Sequence, residues 1–241
     1  MNIESLENKK VKEWTKLQQK KYRDEKGLFI VEGKNLITEA YNSGNLVELI
    51  IENGKVLPID VDTYYVTEEI IKKVSSLDNP GTLLGICKKK EEKNLGEKVL
   101  VLDDISDPGN LGTIIRSACA FNVDTIVLSE NCVDLYNPKV VRATQGMIFN
   151  INIIKKDLNN FIPLLKTNGY KIYGTDVDGG VNVKSLKEYG KICIIVGNEG
   201  KGVSDNIKKL CDKQLYINMN NKCESLNVGV ATSIILYELE N

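Results

Sequence analysis

Residues 192–196, Ile-Cys-Ile-Ile-Val, are consecutive apolar positions with no polar alternation. A strand with one face in water alternates apolar and polar residues; an unbroken apolar run points instead to a parallel strand covered by helices on both sides. This run is one of a series. KVLVLDDI is followed by NLGTIIRSACAFN, where Leu111, Ile114, Ile115, Ala118 and Phe121 recur at helical spacing. DTIVLSE, the helix-like YNPKVVRATQGMIF, NINII, FIPLLKTNG, YKIYGTD, the short helix VKSLKEYG and KICIIVG continue the alternation. A strand LYINM then leads to a C-terminal helix that opens at Glu224 or Ser225. Strand–helix alternation of this kind predicts an α/β fold with a parallel sheet over residues 99–241.

The first 90 residues read as a smaller α/β domain. Leu6, Val11, Trp14, Leu17 and Gln18 predict one amphipathic helix between Ser5 and Tyr22. GLFIVEGKNLITEAYNSG reads as strand, turn at Gly33 and helix; LVELIIE as a strand; TYYVTEEIIKKVSS as strand then helix; TLLGICKK as a further strand. Residues 88–98, KKKEEKNLGEK, carry eight charges in eleven positions without apolar periodicity, which places a linker at 91–98.

Composition removes several chemistries. The chain has no histidine, so a Ser-His-Asp triad, a Cys-His pair and a His-ligated zinc are excluded, and its six cysteines stand singly without metal-ligand spacing. No metal is expected. The N-terminal residues are polar where a signal peptide needs an apolar run, and no stretch approaches the roughly 20 apolar residues of a spanning helix. A cytoplasmic protein with reduced thiols and no membrane contact is the expectation. Net charge is −1, but between Lys9 and Lys26 eight basic residues face three acidic ones, a local excess of five. Lys9, Lys10, Lys12, Lys16, Lys20, Lys21 and Arg23 are therefore candidate phosphate contacts, against the alternative of a solvated helix face.

Three segments carry candidate chemistry. In LDDISDPGNLGTIIRSA, Pro108 and Gly109 make a tight strand-to-helix turn, Asn110 is placed to cap the helix, and Arg116 lies about two turns along. In IIVGNEGKGVS a buried strand ends on Gly197, Asn198, Glu199, Gly200 and Gly202, at the strand end where open α/β sheets bind ligands. It has neither the spacing of a Walker loop nor that of a dinucleotide fold. In LYINMNNKCESLNVGVATSIILYELEN a polar, asparagine-rich approach precedes a buried helix.

In this order and at the end of the chain, the three segments resemble the signature motifs of the SpoU/TrmH family of SPOUT RNA methyltransferases: NLGTIIRSA the first, VGNEGKG the second, INMNNKCESLNVGVA the third. RATQGMIF resembles a further family segment, adding Arg142 to the expected RNA contacts. The resemblance covers residues 98–241 strongly and 1–90 more loosely, the latter as a small RNA-binding α/β domain. It implies a deep trefoil knot in the C-terminal domain, a homodimer whose interface helps complete each active site, and S-adenosylmethionine as cofactor. By the same resemblance the cofactor is held by Thr175, Gly197, Asn198, Gly202, Ile217, Met219, Ser225 and Leu226. Arg116, Asn110, Glu199, Ser225 and Asn227 are the implied catalytic set. Asn218, Asn221 and Gly229 depart from the family pattern, in which Pro, Gly and Ser are frequent.

The implied reaction is methylation of a ribose 2'-hydroxyl in structured RNA. Arg116 is effectively always protonated, so its expected role is to grip the neighbouring phosphate and polarise the hydroxyl, with phosphate or water taking the proton. Asn110 orients the ribose. The separate N-terminal domain favours large-subunit rRNA as substrate. The alternatives are a tRNA 2'-O-methyltransferase, a base methyltransferase with Cys223 as nucleophile, and a non-catalytic RNA-binding protein on the same fold.

Overall fold

The computed structural model describes residues 1–177, 179–186, 190–220 and 222–240. Its first elements are β1 (Asn2–Ile3), α1 (Lys9–Lys16), α2 (Lys20–Lys26), β2 (Leu28–Glu32), α3 (Lys34–Asn42), β3 (Leu46–Glu52), β4 (Asp62–Val66), α4 (Glu68–Val74) and β5 (Leu83–Lys88). They are followed by β6 (Lys98–Asp103), α5 (Pro108–Ala120), β7 (Thr125–Leu128), α6 (Pro138–Ala143), β8 (Asn152–Lys155), α7 (Leu158–Thr167) and β9 (Lys171–Thr175). β10 (Val181–Asn182), β11 (Ile192–Gly197), α8 (Asp205–Lys208), β12 (Lys213–Tyr216) and α9 (Val228–Glu240) complete the order.

The chain divides into two compact units, residues 1–91 with 134–150, and residues 92–133 with 151 onward. Where the sequence suggests a single crossing at 91–98, the chain returns to the first unit for α6 and the turn after it. Arg142 explains the return in part: its Nη1 donates to Ser76 Oγ at 2.6 Å and lies 3.6 Å from Glu32 Oε1. Gly146, at φ +92°, passes so close to Glu39 that a Cβ would stand 2.5 Å from Glu39 Cγ. Phe149 stacks on Phe29, with ring centroids 6.0 Å apart.

In the first unit the sheet order is β1-β4-β3-β5-β2, parallel from β1 to β3 and antiparallel on both sides of β5. Val11, Trp14 and Leu17 are buried in its core with Ile50, Ile70 and Ile71. The single helix expected between Ser5 and Tyr22 is two, α1 and α2. The carbonyls of Leu17 and Gln18, which a continuous helix would offer to backbone amides a turn later, accept instead from Arg23 Nη1 at 2.9 and 2.7 Å. Arg23 Nη2 reaches Asp134 Oδ2 at 2.6 Å, and the residue is 4% exposed. Arg23 is thus a buried joint rather than the phosphate contact expected of it. Removing one partner of such a pair strands the other charge, so Arg23→Met is expected to lower stability by about 3 kcal/mol. Urea unfolding measures this; a loss under about 0.5 kcal/mol, the range of ordinary surface substitutions, would show the joint to be idle.

The second unit carries, among the described residues, a seven-stranded sheet of order β10-β12-β9-β11-β6-β7-β8, parallel at every pairing. The unalternated strands are explained by burial on both sides. Val99, Val101, Cys193 and Ile195 enter one core with Ile162 and Leu165 of α7, while Leu100, Leu102, Ile194 and Val196 are buried facing away from it. α9 packs on β11 and on α5. Gly229 permits that approach, since a Cβ there would stand 3.1 Å from Thr113 Cγ2. The strand expected as LYINM ends at Tyr216, and α9 opens at Val228 rather than at Glu224 or Ser225, because Asn227 Oδ1 accepts from Gly229 N at 2.9 Å. Of VKSLKEYG, residues 183–185 form one 3-10 turn, and Lys187, Glu188 and Tyr189 lie outside the described residues, as does Asn221. No helix among the described residues is long and apolar enough to cross a membrane.

Candidate functional site

From β6 the chain steps outward to β7 and β8, then restarts on the other side with β9 and fills the gap with β11. The order therefore reverses between β6 and β11, whose last residues, Asp103 and Gly197, are paired in register. A reversal of this kind leaves a crevice beyond the carboxyl ends of the strands. There the ends of β9, β11 and β12 and the first turns of α9 enclose a cavity of about 310 Å³.

All eight residues expected to hold a cofactor border this cavity. Thr175 comes from β9; Gly197, Asn198 and Gly202 from the loop after β11; Ile217, Met219, Ser225 and Leu226 from the segment between β12 and α9. The loop after β11 folds on itself: Gly202 N donates to Asn198 O at 2.9 Å, while Asn198 Oδ1 accepts from Gly200 N at 3.0 Å and Lys201 N at 3.2 Å. Gly202 is at φ +68°. A Cβ on Gly197 would stand 2.0 Å from both Gly202 C and Val203 N, so no side chain fits where the loop crosses the strand end. Asn218 is exposed and is not part of the cavity wall.

Asn110, Glu199 and Asn227 form one hydrogen-bonded chain. Asn110 Nδ2 donates to Glu199 Oε1 at 3.0 Å, and Asn227 Nδ2 donates to Asn110 Oδ1 at 2.8 Å. Glu199 also accepts from Asp107 N at 3.0 Å and from Ser106 Oγ at 2.9 Å. Asn110 is free to do this because Asp107, not Asn110, caps α5: Asp107 Oδ1 accepts from Asn110 N at 2.8 Å. Ser106 and Asp107 were not singled out in the sequence, although the run Ser106-Asp107-Pro108 is an ordinary helix-start signal.

Burial works against ionising Glu199, but the donors from Asn110, the Asp107 amide, its own amide and Ser106 outweigh it and hold the carboxyl at about 2, below the ordinary 4.5. A depressed carboxyl stabilises the fold above its ordinary value and loses that contribution as pH falls toward its folded value. The stability gap between wild type and Glu199→Gln should therefore be present at neutral pH and close between about pH 5 and about 2. Thermal melts of both proteins across that range test this; a gap independent of pH would contradict it.

Arg116 lies on α5 but is exposed and does not border the cavity of its own chain. Among the described residues its guanidinium has no acidic or carbonyl partner. Cys223 is exposed, also outside the cavity wall, with its thiol donating to Ser225 O at 3.2 Å. In the first unit Lys10 pairs with Glu48, Lys12 with Glu7 and Lys20 with Asp24. Lys9, Lys16 and Lys21 are exposed without a carboxylate partner among the described residues, the last two lying 5.4 and 5.9 Å from the Tyr22 ring centroid. Asp176 and Lys208 also face the cavity; they lie one at a strand end and one on a four-residue helix, where no motif marks them in the sequence.

The cavity suits S-adenosylmethionine. Val196, Leu215, Leu226 and Ile235 give it an apolar wall against which a flat heteroaromatic ring would fit, and the bare backbone at Gly197 borders it. The volume falls at the lower end of the roughly 300–1,000 Å³ of small-molecule sites.

Comparison with known proteins agrees. The model of the SpoU rRNA Methylase family matches residues 97–237, and that of an MRM3-like substrate binding domain matches residues 8–85. The 23S rRNA (guanosine(2553)-2'-O)-methyltransferase RlmP of Bacillus subtilis is 37% identical over 98% of both chains. An uncharacterized tRNA/rRNA methyltransferase of Synechocystis sp. is 31% identical over 98% of this chain and 92% of its own. The structure of an S-adenosylmethionine-bound rRNA methyltransferase from Sinorhizobium meliloti superposes with a TM-score of 0.86 at 29% identity, covering 99% of this chain and 96% of that one. Motifs, sheet, cavity and relatives together place the chain in the SpoU rRNA methylase family, the S-adenosylmethionine-dependent methyltransferases of RNA ribose 2'-hydroxyls.

Proposed function

We propose that this protein methylates a ribose 2'-hydroxyl of large-subunit rRNA in the cytoplasm, acting as a homodimer. The observation that carries the reading is the meeting of the three motifs in one place: the cavity, with the Asn110–Glu199–Asn227 chain beside it. The rRNA substrate is supported by the full-length similarity to an enzyme named for 23S rRNA and by the substrate-binding domain model over residues 8–85. A trefoil knot is supported by β12 inserting between β10 and β9 before α9 returns to pack on β11 and α5. The homodimer is supported by α9, where Val230 and Tyr237, seven positions apart, are 47% and 54% exposed.

When bound, S-adenosylmethionine would supply an electrophilic methyl on a sulfonium, with the neutral thioether as leaving group. The protein's part is alignment and charge. Asn110 orients the acceptor ribose through its remaining amide hydrogen and carbonyl lone pair. Glu199 and Asn227 fix its rotamer, and the hydrogen bonds of Glu199 tie the loop after β11 to the start of α5. Arg116, without an acidic partner among the described residues and outside its own chain's cavity, grips the phosphate next to the acceptor in the site of the second subunit and polarises the hydroxyl, whose proton leaves to phosphate or water.

Lys9, Lys16 and Lys21, with no acidic partner among the described residues, serve as the phosphate contacts of the first unit. Replacing all three by Glu is expected to weaken rRNA binding at least tenfold and flatten its salt dependence, as filter binding at several salt concentrations would show. Mapping 2'-O-methyl sites in rRNA and tRNA from a deletion strain and its complemented counterpart tests the substrate. One site lost from large-subunit rRNA and restored on complementation is expected; loss from tRNA alone would favour the tRNA alternative.

A further inference from the structure

Asp176 and Lys208 stand in the cavity wall and bond to each other, Lys208 Nζ lying 2.6 Å from Asp176 Oδ2. Asp176 follows Thr175 at the end of β9, and its amide donates to Leu215 O at 2.9 Å, which fastens it beside the apolar wall of Leu215 and Ile217. The carboxylate is held but not saturated. Among the described residues Oδ1 accepts from Val177 N at 2.8 Å and Oδ2 from Lys208, which leaves about one lone pair on each oxygen. Burial disfavours the charge, yet the Lys208 hydrogen bond and the Val177 amide prevail and keep the carboxyl below its ordinary range. The cavity wall thus presents an acceptor-only group with two free positions side by side, the complement of two donors on neighbouring carbons.

Taking the cavity as the S-adenosylmethionine pocket, a reading on which this step rests, we infer that Asp176, steadied by Lys208, accepts from the vicinal 2'- and 3'-hydroxyls of the cofactor's ribose and makes the pocket select a ribonucleoside. Placement favours the ribose over the amino-acid end. The ribose is joined directly to the adenine, and Asp176 borders the apolar wall that suits the adenine. The reacting methyl must face the Asn110–Glu199 side, and β11 separates β9 from the β6 edge where α5 begins.

Calorimetric titration of wild type and Asp176→Asn with S-adenosylhomocysteine, 5'-methylthioadenosine and 2'-deoxy-5'-methylthioadenosine tests the assignment. Wild type is expected to bind the ribo compound about tenfold more tightly than its deoxy counterpart, the discrimination of a hydrogen bond to a charged group. In Asp176→Asn that ratio should fall below about threefold, and S-adenosylhomocysteine and methylthioadenosine should weaken by the same factor. Because the ratio is taken within each variant, partial loss of folded protein does not imitate the result. An unchanged ratio in Asp176→Asn would overturn the assignment, as would weakening of S-adenosylhomocysteine alone, which would place the carboxylate on the amino-acid end. Failure of S-adenosylhomocysteine to bind the wild type would instead overturn the reading of the cavity, and the assignment with it.

Discussion

Arg116→Ala is expected to lower methyl transfer by at least 10²–10³-fold while leaving the affinity for S-adenosylhomocysteine within severalfold. The size follows from removing a positive group aimed at charge that develops in the transition state. The split between turnover and binding follows from geometry: among the described residues Arg116 does not border the cavity of its own chain and makes no ion pair that its loss would disturb. If Arg116 acts in the second subunit's site, a mixed dimer of Arg116→Ala chains with chains disabled in the cavity should recover up to half the activity of a wild-type dimer. Single-turnover methylation with the purified variant, beside calorimetry, makes the measurement. Near-normal turnover would remove Arg116 from the mechanism; a parallel collapse of cofactor binding would make it a structural residue.

Gly197→Ala should have an effect of similar size on the other half of the reaction. Its Cβ would meet two backbone atoms at 2.0 Å, Gly202 C and Val203 N, and backbone cannot swing aside as a flexible side chain can. The loop from Asn198 to Gly202 must move as a body, because it is closed by its own hydrogen bonds. Its displacement would withdraw Asn198 and Gly202 from the cavity wall and Glu199 from Asn110 and Asp107. Loss of S-adenosylhomocysteine affinity by about 100-fold or more, with overpacking destabilisation of about 1–3 kcal/mol, is the expected outcome. Calorimetry and urea unfolding measure the two separately, and a variant that binds like wild type would show that the loop tolerates a shift.

The parallel sheet was legible because Ile192–Val196 and its neighbours lack alternation, a pattern fixed by burial on both faces and independent of distant partners. That these residues would meet at one cavity was legible through motif resemblance, since the glycines and asparagines of the loop after β11 are set by local backbone geometry. What escaped was decided by contacts distant in sequence. Arg23 looked like one more cation in a basic run; its burial depends on Asp134, 111 residues away. The return of residues 134–150 to the first unit depends on Arg142 meeting Ser76 and Glu32, which no periodicity announces. Asn110 reads as a helix cap in the sequence, but Asp107, three residues earlier, takes that place. Asp176 and Lys208 carry no motif at all, being brought together only by the sheet and a short helix.

Ribose methyl transfer to large-subunit rRNA is tested most directly with purified protein, methyl-labelled S-adenosylmethionine, and 23S rRNA and tRNA transcripts in parallel. After digestion to nucleosides, the account predicts label in one 2'-O-methylnucleoside from 23S rRNA, dependent on Arg116. Label in a methylated base, or none in 23S rRNA under conditions where the protein binds S-adenosylhomocysteine, would contradict it.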